Sequence, residues 1–251
     1  MAEAVSTPAR LAVVVGGAGG VGGALARALA GNPSYDRVIV LSRRLPADWP
    51  ATDAQDRMVW MPADILDEDS LAAAAVRIAA LGAPTLILIA TGILHGEGLA
   101  PEKTLRAVTA EALSRVFLVN AVGPALVAKH LLPLTPRDQP SVLAALSARV
   151  GSIGDNRLGG WYGYRASKAA LNMLIHTMAI EHRRTRPLGV CVALHPGTVD
   201  TALSAPFQTA VPDGRLFTAE QSAAALLAVV DSLGLEANGG FFAWDGAPIP
   251  W

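Results

Sequence analysis

The sequence predicts one α/β domain of the doubly wound type, in which helices cover both faces of a mostly parallel sheet. Two observations predict this fold class. Short apolar runs alternate with longer helical patterns along the 251 residues, which is the order of elements in β-α units. The short runs are continuously apolar, as in strands that are buried on both faces. No composition break, long linker or internal repeat divides residues 1–251, so we expect a single domain.

Seven segments have the length and apolar composition of strands. They lie at 11–15, 37–42, 58–63, 85–90, 141–147, 189–196 and 239–244. Segments with helical periodicity lie between them, at 21–30, 68–81, 102–133, 164–184 and 218–233. The alternation predicts a seven-stranded sheet with helices on both of its sides.

The composition excludes several classes of protein. Hydrophobic residues make up 52% and charged residues 16%, which fits a sheet buried on both faces. The net charge of −1 gives no electrostatic basis for binding nucleic acid or an anionic membrane. The single cysteine, Cys191, excludes an intrachain disulfide and a cysteine-based zinc site. Residues 1–10 lack the apolar core of a secretion signal, and no apolar run is long enough to span a membrane, so we expect a cytoplasmic protein.

A glycine-rich turn joins the first strand to the first helix. Gly16, Gly20 and Gly22 have the spacing G-x-x-x-G-x-G. Glycines at such a turn let the backbone approach a pyrophosphate, which then lies on the helix N-terminus. Glycines also serve ordinary turns, but these follow a strand and open a helix, which is the context that nucleotide binding requires.

The end of the second strand indicates which nucleotide is bound. An Asp or Glu at this point would favour a free ribose 2′-hydroxyl, whereas an Arg favours a 2′-phosphate. Ser42, Arg43 and Arg44 offer one hydroxyl and two cations without a carboxylate. They are either solvated charges at a strand end or, together with the glycine turn, an indication of NADPH rather than NADH.

Tyr164 and Lys168 stand four residues apart in a helical segment, so their side chains lie on one face. One interpretation is structural, with the tyrosine packed inward and the lysine extended toward solvent. The other is chemical. A phenol titrates near pH 10, and an adjacent ammonium stabilises the phenolate and lowers its pKa toward the range useful for acid–base catalysis.

Together these features resemble the short-chain dehydrogenase/reductase family and, within it, the C-factor-type and sniffer-like carbonyl reductases. Segments that carry the resemblance occur along nearly the whole chain. They are GGAGGVG, PADI, LVNAVGP, SARVGSIGDNRLGGWYGYRASKAALN, HPGTVDTAL and GGFFAWDGAPIPW. The resemblance implies a Rossmann fold, NADP(H) as cofactor, a small carbonyl compound or alcohol as substrate, and a homodimer or homotetramer.

The resemblance also implies roles for single residues. Tyr164 is the acid–base residue, Lys168 is its partner and also binds the nicotinamide ribose, and Asn120 holds a water that links Lys168 to solvent. The glycine turn, the end of the second strand and the matching segments give the expected cofactor-binding set. It consists of Gly16, Gly20, Val21, Gly22, Ser42, Arg43, Asp64, Ile65, Ala90, Thr91, Gly92, Lys168, Pro196, Gly197, Val199 and Thr201.

The chain departs from the family pattern at three places. Val15 replaces a threonine, and residues 89–92 read Ile-Ala-Thr-Gly instead of Asn-Asn-Ala-Gly. The family's catalytic serine stands three residues before the glycine that follows the fifth strand, where this chain has Ala148 before Gly151. Ser147 is the nearest serine and is our candidate for the fourth catalytic residue. Because side chains alternate along a strand, Ser147 can replace that hydroxyl only if the strand end is bulged or turning.

The apolar residues near these motifs suggest a substrate pocket. Leu94, Trp161, Tyr162 and Phe207 either line it or belong to the core, and the segment 198–217 is a candidate lid. We expect no metal site, because His95, His176 and His182 lack partners at ligand spacing. His195 precedes Pro196 and is a candidate for the cofactor's border.

Two functional classes remain open at this point. The first is an NADPH-dependent carbonyl reductase, which Tyr164 and Lys168 favour. The second is a nucleotide-binding signalling protein with little turnover, which the absent serine and the resemblance to C-factor proteins favour. The fold alone does not separate the two, because function depends on the site.

Overall fold

The computed structural model describes residues 10–47, 49, 57–210 and 214–251. Its strands are β1 Leu11–Val15, β2 Arg37–Ser42, β3 Met58–Pro62, β4 Pro84–Ile89, β5 Ser141–Leu146, β6 Gly189–His195, β7 Thr198–Val199, β8 Leu216–Phe217 and β9 Phe241–Ala243. Its α-helices are α1 Gly20–Gly31, α2 Glu68–Leu81, α3 Ala110–Phe117, α4 Gly123–Leu131, α5 Tyr162–Thr185 and α6 Ala219–Ser232.

Seven strands form one sheet in the order β3-β2-β1-β4-β5-β6-β9. Every pairing within it is parallel. Strands β7 and β8 form a separate two-stranded ribbon. The predicted seven-stranded doubly wound fold is therefore confirmed, while the extent of the domain over residues 1–251 stays a prediction.

Alternating residues of β1 enter two cores, one on each face of the sheet. Leu11, Val13 and Val15 pack with α2, α4 and α5, and Ala12 and Val14 pack with α1 and α6. All five side chains are almost fully buried. This is why the run is apolar throughout instead of alternating with polar residues.

The predicted helix over 102–133 is wrong in its first part. Residues 105–107 form only a single 3-10 turn, and α3 begins after Thr109, whose hydroxyl accepts a hydrogen bond from the amide of Ala112. A wider π turn over Leu118–Val122 joins α3 to α4. Glu102, at the start of the wrongly predicted part, instead accepts a hydrogen bond from the amide of Gly163 in α5.

Among the described residues, one segment, Ala110–Leu134, is long and apolar enough to cross a membrane by length and composition. Core helices of soluble proteins pass the same test. Here Val127, Ala128 and Leu131 are buried in the core against the sheet, so the structure accounts for the apolar character of this segment by packing.

The topology brings the predicted site residues to one edge of the sheet. Strands β1, β4, β5 and β6 are consecutive neighbours and parallel, so their carboxyl ends meet at the same edge. Chain order reverses direction in the sheet between β1 and β4, and ligands bind at such a point in doubly wound folds.

Candidate active site

A cavity of about 710 Å³ opens at the carboxyl ends of these strands. It is lined by the turns that follow β1, β4, β5 and β6 and by the first turns of α5. The predicted site residues in its lining are Gly20, Val21, Gly22, Ala90, Thr91, Gly92, Ser147, Tyr164, Lys168, Pro196, Gly197, Val199 and Thr201. The predicted residues outside its lining are Gly16, Ser42, Arg43, Asp64, Ile65 and Asn120.

The glycine turn forms a narrow cradle at one end of the cavity. A Cβ on Gly22 would clash with the carbonyl oxygen of Gly16, and one on Gly20 would lie 2.6 Å from the Cγ2 of Thr201. Helix α1 begins at Gly20, and the first amides of a helix have no partner within it. The turn can thus accept a pyrophosphate against the N-terminus of α1.

Thr91 gives a second indication that the cavity fits a polar ligand. It follows β4 and lines the cavity, and its hydroxyl is buried without a hydrogen-bond partner among the described residues. Buried hydroxyls are normally paired, so a hydrogen bond to a bound ligand would satisfy this one. The residues present therefore fit a dinucleotide.

The predicted residues at the end of β2 differ in whether their side chains are free to contact a nucleotide. The hydroxyl of Ser42 donates to the carbonyl of Arg44 at 2.6 Å and accepts from the Nε1 of Trp60 at 3.0 Å. Ser42 is therefore held by its own surroundings. Arg43 and Arg44 are both exposed, so the guanidinium groups of both are available to an anion at this strand end.

Asp64 and Ile65 follow β3 at the same edge. The carboxylate of Asp64 accepts a hydrogen bond from the amide of Leu66 at 3.0 Å, which shapes the turn into α2. Ile65 is partly buried and packs against the core on the α4 side of the sheet. Their predicted place beside an adenine stays a prediction.

Tyr164 and Lys168 both lie in the cavity wall and are almost fully buried. The Nζ of Lys168 donates to the carbonyl of Leu146, at the end of β5, at 2.8 Å, and lies 5.9 Å from the centre of the Tyr164 ring. Among the described residues, no group hydrogen-bonds the Tyr164 hydroxyl. The phenol is thus held by its helix and faces the cavity.

The expected lowering of the Tyr164 pKa is wrong for the protein in this structure. Burial disfavours the charged form of each group, raising the pKa of Tyr164 to about 12 and lowering the pKa of Lys168 to about 8. Desolvation therefore outweighs the attraction between the two. At neutral pH the tyrosine carries its proton.

Asn120 lies in the π turn and is completely buried. Its Oδ1 accepts from the amide of Ile93 at 2.7 Å, and its Nδ2 donates to the carbonyl of Ile93 at 2.9 Å and to the hydroxyl of Ser167 at 3.1 Å. A Cβ on Gly92 would lie 3.4 Å from both Asn120 Oδ1 and Lys168 Nζ. The amide therefore fixes the turn after β4 beside Lys168, and its predicted water-holding role stays a prediction.

Ser147 is turned toward α5. Its hydroxyl donates to the Oδ1 of Asn172 at 2.6 Å, and both residues are buried. Its amide donates to the carbonyl of Leu194 at 2.7 Å, and the β5–β6 register shows no bulge. Ala148 also lines the cavity and presents only a methyl group. The hydrogen bond to Asn172 argues against a catalytic role for Ser147, and that role stays a prediction.

Sequence reasoning missed Glu102, which organises the start of α5. Glu102 is 4% exposed; its Oε2 accepts from the amide of Gly163 at 3.0 Å and its carbonyl from the amide of Trp161 at 2.5 Å. Gly159, Gly160 and Trp161 all have positive φ. The paired glycines were a signal for this left-handed turn, but nothing local linked it to Glu102.

The end of the cavity away from the glycine turn is apolar. Leu94, Trp161 and Phe207 line it, with the rings of Trp161 and Phe207 5.0 Å apart. Tyr162 lies outside the lining and is 39% exposed, so it does not contribute to the pocket in this structure. Residues 201–204 also line the cavity. Part of the candidate lid therefore lines the site. Its residues 211–213 lie outside the described ones, and its role as a mobile lid stays a prediction.

His195 lies in the cavity lining, and its predicted place at the cofactor's border stays a prediction. Burial, followed by the positive charge of Arg149, lowers its pKa to about 4, so the imidazole is neutral at neutral pH. Its Nδ1 is buried without a partner among the described residues. Across the described part of the chain, no group of three or more His, Cys, Asp or Glu side chains is placed to hold a metal ion.

Known proteins are similar to this chain in sequence and in fold. The C-signal protein of Myxococcus xanthus is 38% identical over 140 residues, which is 55% of this chain and 78% of that protein. The cis-4-hydroxycyclohexanecarboxylate dehydrogenase of Sinomonas cyclohexanicum is 30% identical over 250 residues, covering 94% of this chain and 95% of that enzyme. The NADPH-bound carbonyl reductase from chicken fatty liver superimposes with a TM-score of 0.83 at 26% identity, covering 98% of this chain and 100% of that one.

The family comparison agrees with the resemblance drawn from the motifs. The model of the short chain dehydrogenase family matches residues 10–211, which include the glycine turn, Asn120, Tyr164, Lys168 and the turn after β6. The relatives and the shared fold extend the match beyond these motifs. The chain belongs to the short chain dehydrogenase family.

Proposed function

We propose that this chain is an NADPH-dependent oxidoreductase that transfers a hydride between nicotinamide and a small, largely apolar carbonyl compound or alcohol. The observation that carries the proposal is the burial of Tyr164 and Lys168 in the wall of the same cavity that the glycine turn enters. Membership of an oxidoreductase family and the NADPH-bound carbonyl reductase with the same fold support it. We further propose that it works as a cytoplasmic homo-oligomer.

The cofactor would lie along the carboxyl edge of the sheet. The N-terminus of α1, from Gly20 to Gly22, would receive the pyrophosphate, and Arg43 would pair with the 2′-phosphate. The adenine would lie near Asp64 and Ile65. The Thr91 hydroxyl and Lys168 would hydrogen-bond the nicotinamide half. The predicted cofactor-binding residues after β6 would border the nicotinamide ring; they are Pro196, Gly197, Val199 and Thr201.

When bound, the reduced cofactor supplies a hydride to the carbonyl carbon. Tyr164 donates its proton to the developing alkoxide, and its high pKa keeps that proton in place at neutral pH. Lys168, with a pKa of about 8, is largely an ammonium at pH 7. Its charge favours the phenolate that remains after proton transfer. A protonated tyrosine suits carbonyl reduction better than alcohol oxidation.

A signalling role with little turnover is the second candidate. The methyl group of Ala148 leaves the substrate oxygen with fewer donors than the family pattern supplies, and the C-signal protein is a 38% identical relative. Such a protein would keep the nucleotide cavity and the fold. It would bind NADPH without reducing carbonyl compounds.

NADPH oxidation across a panel of aldehydes and ketones, measured beside an NADPH-binding titration, separates the two functions. The reductase oxidises NADPH with at least one carbonyl, and Tyr164→Phe abolishes this turnover while NADPH still binds. Tight NADPH binding with no turnover on any carbonyl would favour the signalling protein.

A further inference from the structure

The cavity lining is positively charged as well as apolar. Its ionisable side chains, apart from Tyr164, are His95, Arg149, Lys168 and His195, and no Asp or Glu side chain of the described residues lines it. Lys168 is engaged by the carbonyl of Leu146, and His95 by the carbonyls of Ala202 and Leu203. His195 is neutral at pH 7. Arg149 is the permanent cation to which the proposed reaction gives no role.

Arg149 lies at the reacting end of the cavity. It opens the 3-10 turn Arg149–Gly151 directly after Ala148. Strand β5 is two strands from β1 in the sheet, which corresponds to roughly 10 Å at the usual strand spacing. The turn that carries Arg149 is thus on the substrate side of the cavity, whereas the glycine turn after β1 would take the pyrophosphate. Arg149 is itself in the lining, and its positive charge acts on His195 in the same lining.

The turn that carries Arg149 is fixed against the catalytic helix. A Cβ on Gly151 would lie 2.6 Å from the Cβ of Lys168, so the two backbones are in close contact. The carbonyl of Val150 also accepts a hydrogen bond from Arg165 at 3.2 Å. Arg149 is therefore held at a constant position relative to the Tyr164–Lys168 pair.

The existing partner of Arg149 leaves most of its guanidinium available. One nitrogen, Nη1, lies 3.2 Å from the Oδ2 of Asp155, and the two side chains are 47% and 40% exposed. An ion pair this exposed contributes little. Asp155 is outside the cavity lining, whereas a guanidinium can bind a second carboxylate through two parallel hydrogen bonds.

We propose that Arg149 is a substrate-specificity residue that binds the carboxylate of an apolar carbonyl substrate while Tyr164 acts on its carbonyl group. The inference rests on the proposed reductase function and narrows its substrate class. Leu94, Trp161 and Phe207 would contact the apolar body between the two ends.

A matched pair of substrates tests the proposal with the full-length protein and NADPH. The pair is 3-formylbenzoate and methyl 3-formylbenzoate, which differ only in the carboxylate charge and a methyl group. We expect the wild type to have the higher kcat/KM for the acid, mainly through a lower KM. Arg149→Gln should lower the acid-to-ester ratio about tenfold or more, as expected for the loss of a hydrogen bond to a charged group.

Three further variants control the result. Arg157→Gln removes an exposed arginine of the same loop that donates to the carbonyl of Asn156, and it should leave the ratio unchanged. Arg149→Lys keeps the charge without the guanidinium geometry and should give an intermediate ratio. Asp155→Asn removes the competing carboxylate and should raise the ratio. An NADPH dissociation constant for each variant verifies that it is folded.

The outcomes separate this inference from the function on which it rests. Equal kcat/KM for acid and ester in the wild type, or a ratio that Arg149→Gln leaves unchanged, would overturn the inference while the reductase function stands. Bound NADPH with no turnover on either aldehyde or on the wider carbonyl panel would overturn both.

Discussion

At position 148 the cavity wall carries a methyl group where the family pattern has a serine hydroxyl. We expect that the neighbouring Ser147 does not replace it, because its hydroxyl donates to Asn172 on α5. In the proposed reaction the substrate oxygen would then have Tyr164 as the hydroxyl donor from this wall. The residue at position 148 would therefore affect how well the developing alkoxide is stabilised.

We expect Ala148→Ser to raise kcat, because it adds a donor beside the substrate oxygen. One donor of this kind contributes on the order of a hundredfold in rate, which is the upper limit for the gain. Ser147→Ala should change kcat little. Steady-state NADPH oxidation checks both variants. If Ser147→Ala is as damaging as Tyr164→Phe while NADPH binding is intact, Ser147 is the working hydroxyl and this prediction is wrong.

Arg43 should determine the choice of cofactor. NADPH should bind more tightly than NADH, and Arg43→Asp should reverse the order, because a carboxylate repels the 2′-phosphate and accepts from a 2′-hydroxyl. Dissociation constants for both cofactors provide the measurement. Arg37→Asp, at the exposed amino end of the same strand, is the matched control and should keep the wild-type order. A wild type that prefers NADH would refute the assignment.

The buried ammonium of Lys168 should lower the protein's free energy of unfolding at neutral pH. Burial lowers its pKa from 10.5 to about 8, a difference equivalent to about 3 kcal/mol. Between pH 8 and 10.5 the unfolded chain binds the proton more tightly than the folded one, so this cost is complete below pH 8 and disappears as the pH rises to 10.5.

Lys168→Met should therefore raise the Tm of the cofactor-free protein at pH 7 while abolishing turnover. The gap in Tm between variant and wild type should narrow at pH 10. Calorimetric scans at the two pH values measure it. A Tm difference between variant and wild type that is smaller at pH 7 than at pH 10 would contradict this prediction.

At the scale of the element, α5 has two faces with different tasks. Its inward face carries Tyr164, Ser167, Lys168 and Asn172, all buried. The other face carries Met173 and Ile180, which are 64% and 52% exposed. Exposed apolar side chains seven residues apart form a stripe on one side of a helix. Leu118 and Val122, in the π turn beside α5, are also exposed.

This stripe is our candidate for the subunit contact of a homodimer or homotetramer. We expect light scattering to show an oligomer at micromolar concentration, and Met173→Glu with Ile180→Glu to dissociate it, because burying charges at such a contact is costly. Val76→Glu, at a residue of α2 that is 72% exposed, is the matched control and should leave the oligomer intact. A monomeric wild type would exclude the assembly.

At the scale of the whole molecule, the sequence predicts the sheet better than the connections. The bounds of β1, β2 and α2 match the structure because uninterrupted apolar runs and a helical period are local signals. The run at 239–244 forms only the short strand β9. The helix predicted from residue 102 is wrong because Glu102 is used by a segment far along the chain.

The candidate site also has features that the sequence predicts and features that it does not. The glycine turn, Tyr164 and Lys168 carry spacing signals and lie together in the cavity. The bond from Ser147 to Asn172, the one from Lys168 to Leu146 and the burial that raises the tyrosine pKa depend on tertiary packing. No pattern within a single segment contains that information.

The contact between Glu102 and Gly163 joins positions 61 residues apart. The first turn of the helix that holds Tyr164 therefore cannot take its final form until the segment around Glu102 has docked on it. Opening of either segment releases the other, so we expect their amides to exchange hydrogen for deuterium together, as one cooperative unit. We therefore expect a chain in which this contact has opened to keep its sheet while the first turn of α5, which carries Tyr164, loses its order.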